Sequence, residues 1–149
     1  MECNFEFSTA MRKAGFILGM FLAVLACTSQ KGLVNIKKTA PPAEPQDSVE
    51  YELITFDAKF ETWYELHNSP ATYKLKEYYE SWNRRYVSEW NYKAMTFNKH
   101  GFFEPIVGYE PTVDYGFELN HKLFYYFQYV EKVLRIQILD GGGPVVPLI

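Results

Sequence analysis

The chain has 149 residues, with 15 Lys and Arg against 18 Asp and Glu and a formal net charge of −3. That length suits one domain, and the mild acidity excludes a general nucleic-acid binder, which needs a basic face to displace counterions from phosphates. Hydrophobic residues make up 48% and charged residues 22%, which excludes wholesale disorder. The unusual figure is 18% aromatic: 12 Tyr, 12 Phe and 3 Trp.

Residues 1–26 read as a bacterial export signal. Met11-Arg12-Lys13 is a basic start and Phe16 to Leu25 an uncharged apolar run, too short for a membrane span of about 20 residues. Val24-Leu25-Ala26-Cys27 resembles the lipobox of bacterial lipoproteins. That resemblance implies cleavage before Cys27 and acylation of its thiol, and several acyl chains make a stable anchor where one does not. Glu2 and Glu6 sit badly ahead of a basic start, so translation is expected to begin at Met11, which removes Cys3. The mature chain then has no free thiol.

Residues 27–50 read as a flexible, disordered tether: three prolines, scattered polar residues and almost no aromatic side chains. Residues 51–140 hold most of the aromatic side chains and are expected to form the folded domain. Tyr51 to Phe56 partly alternates and predicts a short strand, with Ile106-Val107 as its expected partner. Asp57 is a good N-cap for a helix over Ala58 to Leu66 or His67. Ser69 followed by Pro70 predicts the start of a second helix from about Ala71 to Phe97. Its apolar stripe is Leu75, Tyr79, Trp82, Tyr86, Trp90, Ala94 and Phe97, and Glu80–Arg84 and Arg85–Glu89 are expected as i,i+4 pairs. A third helix is expected from about Tyr115 to Ile138, with Leu119, Leu123, Tyr126, Phe127, Val130, Val133 and Leu134 buried. Gly141-Gly142-Gly143 and the prolines after it read as a helix stop and a flexible tail over 141–149. The fold class is thus mainly α, about three helices with a short two-stranded β element, with α+β as the alternative.

No motif carries catalysis. Glu118 and His121 have one E-x-x-H spacing but no second copy, so no metal is expected. His67, His100 and His121 read as turn or surface residues. The glycine run lacks the helix and Lys of a phosphate loop, and no serine sits in a nucleophile elbow. No cofactor is expected. The densest cluster is Trp82 to Tyr92. The helical period alone accounts for Trp82, Tyr86 and Trp90 as core, so the off-stripe Asn83, Asn91 and Tyr92, with Arg84, are the candidate contacts.

From about Val49 to Val130 the chain resembles a family of small, uncharacterised Bacteroidota lipoproteins, a domain-of-unknown-function family. The resemblance rests on Tyr51-Glu52-Leu53-Ile54, Asp57, Phe60 to Trp63, Asn83 to Asn91, Asp114 to Asn120 and Lys122 to Phe127. It implies an envelope lipoprotein and supplies no active site. Lipoproteins exposed at the cell surface often carry acidic residues soon after the lipidated Cys; Thr28-Ser29-Gln30-Lys31 stands here instead, which favours the periplasmic side of the outer membrane. The expected partners are the membrane, through lipid on Cys27, and an envelope protein. A glycan or peptidoglycan module is the alternative, and a hydrolase comes third.

Overall fold

The computed structural model describes residues 31–39, 50–96 and 101–144. The export signal, Cys27, His100, most of the tether and residues 145–149 lie outside these. The described chain forms three α-helices and a two-stranded antiparallel sheet. No helix among the described residues is long and apolar enough to cross a membrane.

The sheet pairs β1, Val34–Thr39, with β2, Glu50–Thr55. β1 lies inside the stretch expected to be tether. Val34 and Ile36 alternate inward beside Leu53, and that small apolar face is enough to fix the register. Ile106-Val107 does not pair with β2 as expected. Val107 bridges in parallel to Asn35 on the other edge of β1, donating its N–H to the Val34 carbonyl and accepting from Ile36 at 2.9 Å. Gly108 follows at φ +83, where any Cβ would strike the Ile36 carbonyl, so a side chain there would push this connection off β1. The compact unit accordingly begins at Lys31, not near Tyr51.

Helix α1, Ala58–His67, starts as the sequence predicts: the Asp57 carboxylate accepts the Lys59 and Phe60 N–H groups at 3.0 and 3.3 Å. The next start is different. Pro70–Thr72 is a single 3₁₀ turn, the Ser69 side chain makes no cap, and Tyr73 is extended. Helix α2 therefore runs Lys76–Thr96, later than expected, and Leu75 is 78% exposed, outside the stripe. Tyr79, Tyr86, Trp90 and Ala94 are buried as the spacing predicts, and Trp82 is half-buried.

Helix α3, Gly116–Lys132, also stops short of its expected end at Ile138. Arg135 adopts the left-handed conformation at φ 59 and the Ile136 N–H turns back to the Val130 carbonyl, which leaves Val133 exposed. Ile138 and Leu139 re-enter the core from an irregular segment. Gly141 to Pro144, expected as tail, continue from that segment: Gly142 donates to the Leu139 carbonyl, and Lys132 Nζ reaches the Pro144 carbonyl.

The core is built from rings. Trp90 meets Phe103 edge-on at 4.9 Å, Tyr86 stacks on Phe127 at 4.8 Å, and Phe60 meets Tyr126 edge-on at 5.0 Å. Such pairs contribute about 0.5–1.5 kcal/mol each beyond their buried area. If β1 belongs to the cooperative unit, Ile36→Ala should cost about 2–4 kcal/mol in urea unfolding, while exposed Lys38→Ala should stay within about 0.5 kcal/mol. Equal, negligible effects would show that β1 is not part of that unit.

Candidate functional site

A groove of about 440 Å³ opens between α2 and the turn after α3, lined by Arg84, Arg85, Ser88, Glu89, Leu139, Asp140 and Gly142. Its first wall is set by helical spacing: Arg84 and Ser88, and Arg85 and Glu89, stand four apart on α2, and exposed Tyr92 and Met95 follow Ser88 along the helix at steps of four and three. Its second wall is set by one carboxylate. Glu131 Oε1 accepts the Ile138 and Leu139 N–H groups at 3.1 and 2.9 Å, which fixes the irregular segment against α3. Glu131 Oε2 accepts from the Tyr86 hydroxyl at 2.9 Å, and Gln128 donates to that hydroxyl at 2.9 Å. Burial and then the adjacent Glu131 charge push the Tyr86 phenol up, so it remains a neutral donor.

Neither expected i,i+4 pair forms. Glu80 lies 3.6 Å from Lys76, and the Arg85 guanidinium sits 4.7 Å over the Trp82 ring. Arg84 and Arg85 have no carboxylate partner among the described residues. Arg84 lies near Tyr109, whose phenol burial pushes up to about 12 while the Arg84 charge opposes that rise. Across the groove, Lys93 holds the Asp140 carboxylate at 3.1 Å and also donates to the Gln137 carbonyl. Asp140 is open to solvent and ion-paired, so it lacks the desolvated surroundings that make a general acid.

The four candidate contacts separate. Arg84 lines the groove and Tyr92 is 61% exposed on the same helix. Asn83 is fully buried and donates to the Asn120 carbonyl at 2.8 Å and its side-chain oxygen at 3.1 Å, so it is a core residue and no surface contact. Asn91 is half-buried and accepts the Ile106 N–H, fixing the loop that flanks β1. Both asparagines leave the apolar stripe, which reads as outward only while the helix has one buried face. Trp90 is buried with its indole N–H on the Glu104 carbonyl at 2.7 Å, so a sugar-stacking platform loses that ring to the core. Gly142 falls in the expected tail, and Leu139 and Asp140 fall just past the expected helix end at Ile138; the one signal for this wall is the Ile138-Leu139 pair close before the glycines.

His121 is the larger correction. It is buried, not a surface residue, and five rings surround it: Tyr64, Tyr73, Tyr79, Phe117 and Tyr125. Its Nδ1 lies 2.9 Å from the Tyr64 hydroxyl, and its Nε2 has no hydrogen-bond partner. Glu118, the other half of the spacing, is exposed on the same helix. Among the described residues, no group of three His, Cys, Asp or Glu side chains is placed to hold a metal. Burial lowers the His121 pKa to about 4.

A family model described as a family of unknown function, DUF6146, matches residues 15–141. The chain belongs to that family. The DUF6146 match spans both strands, all three helices and the groove's second wall up to Gly141. No curated protein and no solved structure matches the chain. Nothing in the DUF6146 match points to an enzyme.

The buried imidazole ties stability to pH in this DUF6146 chain. Its folded pKa lies below the unfolded value of 6.5, so the unfolded chain takes up the proton first. Stability therefore falls as pH drops from 6.5 toward about 4. The share due to His121 is about 3 kcal/mol. Urea unfolding at pH 7 and pH 4 should show that difference in the native protein and lose most of it in His121→Phe. An identical pH dependence in both proteins would refute it.

Proposed function

We propose that this DUF6146 protein is a lipid-anchored lipoprotein of the bacterial envelope, held by acyl chains on Cys27 on the periplasmic side of the outer membrane. Its folded domain is a non-enzymatic protein-interaction module. The anchor rests on the basic start, short apolar run and Val24-Leu25-Ala26-Cys27 of the sequence. The module rests on one observation: two arginines without carboxylate partners among the described residues line a walled groove on the helix that also exposes Tyr92 and Met95. Arg and Tyr are the residue types that concentrate binding energy at protein interfaces. A guanidinium with no carboxylate partner among the described residues can take a carboxylate on another chain, and Arg85 can do so from its place over the Trp82 ring.

The aromatic surplus points the same way. Phe56 and Tyr92 are the two aromatic side chains exposed among the described residues. The rest serve the core, which leaves the glycan reading little ring surface to stack on.

Two measurements test this. Cys27→Ser should abolish acyl labelling and leave unprocessed precursor; unchanged labelling and membrane retention would defeat the anchor. A photo-crosslinking residue at Tyr92 should give a discrete protein adduct in the native envelope. That adduct should disappear when Arg84 and Arg85 are both changed to Gln, and the same probe at exposed Lys59 should give none. An adduct indifferent to both arginines would defeat the module.

A further inference from the structure

The outer face of the sheet carries an apolar patch that no other element among the described residues covers. Continuing the β1–β2 register outward sets Leu33 opposite Phe56, on the face that Asn35 shares with Ile54. Val107, bridged to Asn35, turns to the same side. Leu33 is 42% exposed, Phe56 74% and Val107 57%, with Ile54 half-buried between them. The opposite face, with Val34, Ile36 and Leu53, is the one sealed into the core. A small sheet with a solvent-side face would ordinarily be polar there, and scattered single apolar residues would need no account; a contiguous group does.

The position of that patch in the chain identifies what it meets. Leu33 stands six positions after Cys27, so the chain between them spans at most about 20 Å. A folded unit of this length is about 35 Å across. A lipid on Cys27 would therefore keep this end of the sheet within reach of the bilayer. We propose that the outer sheet face of Leu33, Ile54, Phe56 and Val107 rests on the membrane surface to which Cys27 ties the chain. The proposal rests on the lipoprotein reading. Charge does not drive it: Lys37 on this face pairs in register with Glu52, exposed Glu50 lies beyond on the same face, and Lys31 is held by Glu104 at 2.6 Å. Apolar contact, not headgroup attraction, would carry the binding, adding a second signal to the acyl chains.

The mature chain, without other thiols once Cys27 is acylated, allows single-cysteine labelling. Phe56→Cys, Val107→Cys and Met95→Cys would each carry an environment-sensitive fluorophore, in full-length processed protein on phosphatidylethanolamine–phosphatidylglycerol vesicles. Mass spectrometry first establishes whether Cys27 is acylated. The labels at 56 and 107 should shift to the blue and lose iodide quenching severalfold relative to detergent-free protein without vesicles. The label at Met95, 73% exposed on α2, reports any general effect of the vesicles, so the shift at 56 and 107 should exceed its own. Acylated protein whose three labels respond alike overturns the face and leaves the anchor standing. Unacylated Cys27 overturns the lipoprotein reading, and the face with it.

Discussion

Helix α3 is buried round nearly its whole circumference. From Leu119 to Val130 every residue but Lys122 is withdrawn from water. A helix with one apolar stripe can lie on a surface, but one buried on all sides must be wrapped. The remaining elements are its wrapping: α2 lies along one side, α1 along another, and β2 meets it with the inner face of the sheet. Small domains bury a modest fraction of their surface, and bulky rings make each wrapping contact count for more.

Full burial also forces polar groups inside. Asn83 and Asn120 bond each other where α2 crosses α3, and Gln128, Tyr86 and Glu131 form a second chain of hydrogen bonds further along. A half-satisfied polar network is costly in a low-dielectric interior. Glu131 resolves its own burial by serving two segments at once, accepting from Tyr86 on α2 and from two backbone groups beyond α3. The same side chain that relieves the core therefore shapes the second wall of the groove. Core and surface are not separable at that point of the fold.

Local signals were readable in the sequence and long-range ones were not. Asp57 announced α1 because an N-cap acts within three residues. The stripe from Tyr79 to Ala94 followed from period alone. β1 was missed because Val34 and Ile36 are a short alternation beside three lysines and a proline-rich stretch, and their partner Leu53 lies across a gap in sequence. His121 was misplaced because an amphipathic pattern assumes an outer face that α3 does not have. Spacing pairs the arginines with glutamates on their own helix, yet Lys76 takes Glu80 and the Trp82 ring takes Arg85. Spacing names the pairs that can form, and competition from outside the window decides which do.

The docking of β1 has a consequence for assembly in time. Lys31 joins Glu104 across 73 positions of chain, and the Gly32 N–H bonds the Phe102 carbonyl. A chain emerging from its N-terminus presents this strand first and completes it late, after everything up to Val107 has followed. Closing so long a loop costs only slightly more than closing a shorter one, but it has to wait. In the interval an unpaired strand edge invites association with other chains. Lys37 and Lys38, side by side in the short strand, put like charges on any two copies that would pair edge to edge. They act as gatekeepers for a strand that gains β2 early but whose other edge is bridged only after Val107 has been made.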